Sequence, residues 1–137
     1  MNNKIYQQLM KEANKSLKYN DVPVGALVVK NNKIISKGHN TREKDSKIIS
    51  HAEINAILKA NKKLKSYFLY DCDIYVTLEP CEMCKKVINN SRIRCAYYLL
   101  NKDQSKNDYN KTKYILLDNE YSKLSKKNLQ IFFDKLR

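Results

Sequence analysis

Two short motifs in this 137-residue chain bring together residue types that bind a metal ion and move protons. His51-Ala52-Glu53 comes first, and Pro80-Cys81 with Cys84 begins about thirty residues later. Imidazole nitrogen and thiolate sulfur are ligands that zinc prefers in proteins. One histidine and two cysteines leave the fourth tetrahedral position to water, as in catalytic rather than structural zinc sites. The sequence therefore predicts a catalytic zinc centre held by His51, Cys81 and Cys84.

Glu53 stands two residues after the predicted histidine ligand. On a continuous helix this spacing turns the two side chains about 200° apart, but in a first turn both can flank a site beyond the helix end. A carboxylate there is placed to act as the general base on a water molecule without binding the metal. The alternative is that Glu53 is the capping-box partner of Ser50 in the pattern S-x-x-E. The catalytic role is favoured because the metal set is present.

Apolar periodicity and turn residues predict the elements that position these motifs. A helix starts at His51, and another runs from Cys81 to about Asn90 with Pro80 in its first turn. Because helix N-termini favour anions, both helices would help to lower the thiol pKa values. Asn31-Asn32 between two β-branched runs predicts a hairpin, and the polar residues 37–49 predict a loop. Two further helices are predicted: one over 3–19, with Ile5, Leu9, Ala13 and Leu17 on one apolar stripe, and a last helix with Leu124, Leu129, Phe132, Phe133 and Leu136. Three further strands are predicted at 73–78, 94–100 and 114–117. A polar stretch at 101–113 separates the last two strands.

Strands that alternate with helices predict an α/β fold, a sheet covered by helices with parallel neighbours where a helix intervenes. The length predicts one domain over residues 1–137. No apolar run reaches the length of a membrane span, and the first residues lack a secretory signal, so we expect a cytoplasmic protein. Cys72 and Cys95 lie in or beside strand-like stretches and are expected to be buried thiols.

The chain carries a net charge of +13, which would attract phosphate backbones. Only four of its 27 Lys and Arg residues are arginine, and Asn, Ile and Tyr are also abundant. Two interpretations therefore stay open: a dedicated RNA-binding face, or a solvated lysine surface that reflects AT-rich codon usage.

A set of motifs between residues 21 and 94 closely resembles the bacterial tRNA-specific adenosine deaminases. The motifs are Asp21-Val-Pro-Val-Gly25, Asn40, His51-Ala-Glu53, Thr77-Leu-Glu-Pro-Cys-Glu-Met-Cys84 and Ser91-Arg-Ile-Arg94. H-x-E followed by P-C-x-x-C is the signature of zinc nucleobase deaminases. The resemblance implies a three-layer α/β/α cytidine deaminase-like fold with a five-stranded mixed sheet flanked by helices. It also implies one zinc ion per subunit and a homodimer.

The same resemblance implies hydrolytic deamination of adenosine to inosine at the wobble position, position 34, of a tRNA, in bacteria an arginine tRNA, recognised through its anticodon stem-loop. Glu53 would be the catalytic residue. Asn40, Ala52 and Val24 would contact the base, although Asn40 could instead cap its loop and Val24 could be core. Glu79 and Pro80 would orient the loop that carries the cysteine ligands, although Glu79 could instead be a surface carboxylate. The last helix of the family lies against tRNA, which makes Phe132, Phe133, Lys135 and Arg137 candidate RNA contacts; Lys102, Lys106, Lys111 and Lys113 are candidate phosphate contacts.

One segment departs from the family pattern. Where the family has a glycine-rich segment that helps to grip the anticodon loop, residues 99–110 contain no glycine. This difference concerns RNA binding rather than the chemistry, because every zinc and proton-transfer position is intact. It leaves two alternatives open: a zinc-dependent deaminase of a free base or nucleotide of the guanine or cytosine type, and a zinc-stabilised RNA-binding subunit without activity.

Overall fold

The computed structural model describes residues 1–101 and 112–136. Strands and helices alternate along most of the chain, as predicted. The helices are α1 (Asn3–Lys15, continued by a 3-10 turn at Ser16–Tyr19), α2 (Arg42–Asp45), α3 (Ala52–Leu64), α4 (Glu82–Asn90) and α5 (Glu120–Lys135). The strands are β1 (Gly25–Lys30), β2 (Lys33–His39), β3 (Cys72–Val76), β4 (Cys95–Tyr98) and β5 (Lys113–Leu116).

The five strands form one mixed sheet in the order β2-β1-β3-β4-β5. Strand β1 runs antiparallel to both β2 and β3, whereas β3, β4 and β5 are parallel. The parallel pair β3 and β4 is joined through α4, as the alternation predicted. This crossover places the start of α4 beside the carboxyl end of β3, the edge of a sheet at which ligands bind in open α/β folds.

Helices cover both faces of the sheet, because side chains alternate between faces along each strand. Ala26 and Val28 of β1 face a core formed with α3 and α4. Leu27 and Val29 face a second core formed with α1. Helix α5 lies on the α1 side, where the Tyr121 ring packs 4.3 Å from that of Tyr6, centroid to centroid. The predicted three-layer α/β/α architecture with a five-stranded mixed sheet is confirmed.

The two glycines of the chain mark places where a helix lies directly on the sheet. A Cβ atom on Gly38 of β2 would lie 2.5 Å from both the Ala52 carbonyl oxygen and the Ala56 nitrogen. A Cβ on Gly25 of β1 would lie 2.6 Å from the Leu9 carbonyl oxygen of α1. No side chain fits at such distances, so Gly38 allows the first turn of α3, which carries Glu53, to dock against the end of β2.

The structure differs from the sequence prediction in detail, although the first helical segment spans the predicted residues 3–19. The first helix tightens into a 3-10 turn after Lys15, and the change to 3.0 residues per turn moves Leu17 off the apolar stripe, so that it is 40% exposed. Strand β2 continues through His39, and the predicted loop after it contains the short helix α2. Leu58 of α3 is exposed, since the core contacts of that helix are supplied by alanines and isoleucines on the opposite face.

Cys72 and Cys95 are buried free thiols, as predicted. Within residues 1–101 and 112–136, no helix has both the length and the apolar content needed to cross a lipid bilayer.

Candidate metal centre and active site

Two of the three predicted zinc ligands are the N-cap residues of their helices. His51 precedes α3 with φ −77° and ψ 155°, and Cys81 precedes α4 with φ −71° and ψ 171°. Neither side chain makes a capping hydrogen bond to its own helix. The extended cap backbone instead directs both side chains past the helix ends, where the two helix starts meet. Cys84, the third residue of α4, adds a second sulfur on the same side.

The distances among these side chains fit a tetrahedral zinc ion. The His51 Nδ1 atom lies 3.7 Å from Cys81 Sγ and 3.4 Å from Cys84 Sγ. A tetrahedral ion with Zn–S near 2.3 Å and Zn–N near 2.05 Å holds its nitrogen and sulfur ligands about 3.6 Å apart. All three donor atoms lie within 4.8 Å of one another. The predicted ligands therefore meet at one point, and their chemistry and separation fit zinc.

The buried sulfur at this point requires a cation to become a thiolate. Burial raises the pKa of the Cys84 thiol well above its ordinary value, and the neighbouring Glu53 and Cys81 raise it further. A divalent cation opposes this effect because it deprotonates a coordinated thiol outright. Zinc bound at this centre would therefore release a proton from the Cys84 thiol.

Glu53 lies beside the ligands in the first turn of α3, and its side chain is buried. It lines the same cavity as His51 and Cys81. The 200° rotation expected along a continuous helix does not apply, because the histidine is an extended cap residue. The capping-box alternative was wrong for the same reason: the N-cap is His51 and not Ser50, so Glu53 is the second helical residue rather than the third. Pro80 was likewise predicted in the first turn of α4, but it precedes the N-cap residue Cys81 and lies outside the helix.

The cavity in front of the metal centre has a volume of about 210 Å³. Its apolar wall is formed by Val22, Val24 and Leu78, and its polar lining includes Asn40 and the cationic Arg42. This volume is below the roughly 300–1,000 Å³ of sites for drug-sized ligands, and it suits one nucleobase rather than a larger molecule.

The three residues predicted to contact substrate, Asn40, Ala52 and Val24, all line this cavity. The Asn40 side chain also holds its own loop: its Nδ2 donates to the Val22 carbonyl at 3.3 Å, and its Oδ1 accepts from the Arg42 amide at 3.2 Å. Each of these two groups has capacity for one more hydrogen bond. Val24 is both core and lining, since it packs against the α3 side of the sheet. Ala52 begins α3, so its amide has no acceptor within the helix.

Glu79, predicted to orient the ligand loop, forms an ion pair that the sequence analysis missed. Its Oε2 lies 2.9 Å from the ammonium of Lys85, and both side chains are buried. Glu79 comes just before the ligand Cys81, and Lys85 comes just after the ligand Cys84. The ion pair therefore links the two ends of the segment that carries both cysteine ligands. Lysine is rarely buried unless it is paired, and the local sequence gives no sign of this partner.

The candidate RNA contacts in α5 have different environments. Phe132 is 6% exposed and packs into the protein, so the expectation that it contacts RNA is wrong for this structure. Phe133 is 40% exposed, and Lys135 is exposed. Lys113 is exposed at the start of β5. Arg137, Lys102, Lys106 and Lys111 lie outside the described residues, as does most of the glycine-free segment.

A family model described as the cytidine and deoxycytidylate deaminase zinc-binding region matches residues 1–100. The tRNA-specific adenosine deaminase of Streptococcus pyogenes serotype M18 (strain MGAS8232) is 42% identical over 92 residues, which cover 67% of this chain and 58% of that protein. The protein of the same name from Rickettsia bellii (strain RML369-C) is 45% identical over 94 residues, covering 67% of this chain and 65% of that one. The chain thus spans less than two thirds of either relative.

A solved structure from studies of A-to-I editing by tRNA:A34 deaminases at the wobble position of transfer RNA is similar to this chain throughout the fold. Its TM-score is 0.80 at 26% identity, and the match covers 90% of this chain and 99% of that one. The similarity in fold therefore extends beyond the residues that the family model matches.

Proposed function

The chain belongs to the family of the cytidine and deoxycytidylate deaminase zinc-binding region, and from that membership we propose that it hydrolytically deaminates adenosine to inosine at position 34 of a tRNA. The observation that carries the proposal is the cluster of His51, Cys81 and Cys84 beside one base-sized cavity, which His51, Cys81 and Glu53 line. The names of the two bacterial relatives and of the similar solved structure support the choice of tRNA as the substrate.

His51, Cys81 and Cys84 would hold the zinc ion, and their three side chains leave one tetrahedral position for solvent. When bound, zinc supplies a water molecule activated for nucleophilic attack at neutral pH. The metal-binding side chains come from two helices that are fixed on one face of the sheet, so the site is formed before the substrate arrives.

Glu53 is the proton carrier of the proposed reaction. Its carboxylate takes a proton from the attacking water and delivers it to N1 of adenine while the new C–O bond forms at C6. The second proton passes through the same carboxylate to the exocyclic amine, which leaves as ammonia when the C6–N bond breaks, and inosine remains. The Glu53 side chain is buried and lines the cavity, so its carboxylate is placed beside the base for both proton transfers.

The cavity walls would hold the base for this transfer. Asn40 offers its remaining hydrogen-bond capacity to the purine, Val24 contacts the ring, and the Ala52 amide faces the reacting centre. Glu79 and Pro80 hold the ligand segment in place. We further propose that the substrate is an arginine tRNA bound through its anticodon stem-loop, that the single-domain chain works as a homodimer, and that it acts in the cytoplasm.

The test is to incubate the zinc-loaded protein with arginine tRNA bearing A34, and in parallel with free guanine, cytosine and adenosine. Nucleoside analysis by mass spectrometry should find inosine in the tRNA and no turnover of the free compounds. Turnover of free guanine or cytosine without inosine in tRNA would show a free-base deaminase instead. Absence of every product from zinc-replete protein would favour an RNA-binding subunit and overturn the proposal.

A further inference from the structure

The turn of the chain that contains Arg42 is held in place by hydrogen bonds, and Arg42 lies beside the site cavity. Arg42 is the first residue of α2 and lines the cavity. The turn is held from below by the buried carboxylate of Asp21, which accepts hydrogen bonds from the Glu43 amide at 2.7 Å and the Lys44 amide at 3.3 Å. It is held from the side by Asn55 of α3, whose Nδ2 donates to Thr41 Oγ1 at 2.9 Å. Arg42 and Lys44 are therefore fixed relative to Glu53, which lies on the same helix as Asn55.

An exposed aromatic ring lies against this turn. Tyr19, at the end of the 3-10 turn, is 43% exposed, and the ammonium of Lys44 lies 5.3 Å from its ring centroid. The ammonium of Lys18 lies 5.7 Å from the same centroid. The chain then runs from Tyr19 through the buried Asp21 to Val22, which is part of the cavity wall. Ring and cations thus form a surface continuous with the site.

The charge of this surface is positive. Two of the carboxylates near it make hydrogen bonds within the turn: Asp21 caps the α2 amides, and Asp45 accepts from Thr41 Oγ1 at 2.7 Å. Arg42, Lys44 and Lys18 are exposed, against the exposed carboxylates of Glu43 and Asp45, so these five residues carry a net charge of +1. Arginine and lysine beside an aromatic ring are the groups that bind the backbone and stack the bases of single-stranded nucleic acid.

We propose that Tyr19, Arg42 and Lys44 form the surface that receives the RNA strand next to the reactive nucleotide. In this arrangement the base of a flanking nucleotide stacks on the Tyr19 ring, and Arg42 and Lys44 contact the phosphates on either side of it. The inference rests on the proposed function for its choice of RNA. It extends that function by placing a strand-binding surface on α2 and the 3-10 turn, on elements other than the α5 helix that carries the earlier candidate contacts.

The experiment measures binding of the zinc-loaded protein to a fluorescent RNA hairpin that carries an adenosine in its single-stranded loop. Tyr19→Ala and the double variant Arg42→Gln/Lys44→Gln should each weaken binding by about tenfold or more, while Tyr19→Phe keeps the ring and should bind within about twofold of the wild type. The double variant should also lower the slope of log affinity against log salt by about 1.4, the value for two phosphate contacts on a single strand.

The matched control removes the same charge elsewhere. Lys4 and Lys33 are exposed near the β1–β2 hairpin, at the far end of strands whose other end carries Gly25 and His39. Lys4→Gln/Lys33→Gln should weaken binding much less than the double variant in α2. Equal effects of the two double variants, or unchanged binding in Tyr19→Ala, would overturn the proposal.

Deamination of the same hairpin is followed in parallel, which separates the two proposals. If inosine forms but the RNA affinity is unchanged in the variants of Tyr19, Arg42 and Lys44, the proposed surface is refuted and the proposed function stands. Binding that depends on the three residues, without inosine in the hairpin or in tRNA, would refute the function and support the surface as an RNA-binding site.

Discussion

The carboxylate of Glu79 and the ammonium of Lys85 meet 2.9 Å apart in a buried ion pair that spans the segment carrying both cysteine ligands. The pair is supported on its outer side by Tyr114, whose ring centroid lies 5.4 Å from the Lys85 ammonium and whose hydroxyl donates to the Lys85 carbonyl at 3.2 Å. The metal-binding segment is thereby tied to strand β5 as well as to its own helix.

Removing one member of this pair should cost more stability than removing both. Lys85→Met removes the Lys85 ammonium from the buried Glu79 carboxylate, and we expect the free energy of unfolding to fall by about 3–5 kcal/mol. The double variant Glu79→Gln/Lys85→Met buries no charge and should lose much less. Urea unfolding of the zinc-loaded proteins measures both values. Equal losses in the single and double variants would show that the charge on Glu79 does not need Lys85.

Zinc binding should depend on Cys84 and not on the other buried thiols. Cys84→Ser removes a ligand from the three-residue set, so the purified protein should hold far less than one zinc ion per chain. Cys95→Ser is the matched control, since Cys95 is also buried but lies in β4 outside the ligand cluster. Metal content measured by mass spectrometry should be near one ion per chain in the control. Full zinc occupancy in Cys84→Ser would contradict the ligand assignment.

Glu53→Gln should separate metal binding from catalysis. The amide keeps the size of the side chain but cannot carry a proton, so we expect kcat to fall by at least about 10²–10⁴-fold while the zinc content is unchanged. The measurement is single-turnover inosine formation in tRNA beside a zinc assay on the same preparation. Loss of zinc together with activity would instead make Glu53 a ligand or a structural support of the site.

Gly38→Ala should disturb the site through the backbone. The new Cβ atom would meet the Ala52 carbonyl and the Ala56 amide, so α3 must shift away from the sheet, at a cost of about 1–3 kcal/mol. Gly25→Ala meets the backbone of α1 in a similar way and should cost a comparable amount of stability. Only the Gly38 variant moves the helix that carries Glu53, so we expect a larger loss of deamination in it at equal stability. Similar activity in the two folded variants would remove this role from Gly38.

Alkaline pH should destabilise the protein partly through Tyr114. Burial raises the pKa of this phenol above its ordinary value. The unfolded chain therefore releases the phenolic proton first as the pH rises, so the stabilising contribution is complete below about pH 10 and is lost progressively above it. The free energy of unfolding should fall less steeply between pH 10 and 11.5 in Tyr114→Phe than in the wild type. Identical slopes in urea titrations would contradict this role.

The sequence by itself determined the candidate ligand set, the carboxylate that lies beside it and the order of the elements. His51, Cys81 and Cys84 were identifiable because zinc restricts its ligands to a few residue types, and Glu53 because it lies within one helical turn of His51. The strands and helices were visible in local periodicity. These signals depend on near neighbours along the chain, which the amino-acid sequence records directly.

Only the tertiary structure decided which distant residues meet. The buried partner of Glu79, the docking of α3 on Gly38 and the contact of Lys44 with Tyr19 join positions that no local pattern connects. The burial of Phe132 beside the exposed Phe133 could not be predicted either, because two adjacent aromatic residues on a helix do not indicate which of them faces the core. Each of these contacts arises when the sheet brings separate elements within a few ångströms of one another, and a linear pattern carries no measure of that distance.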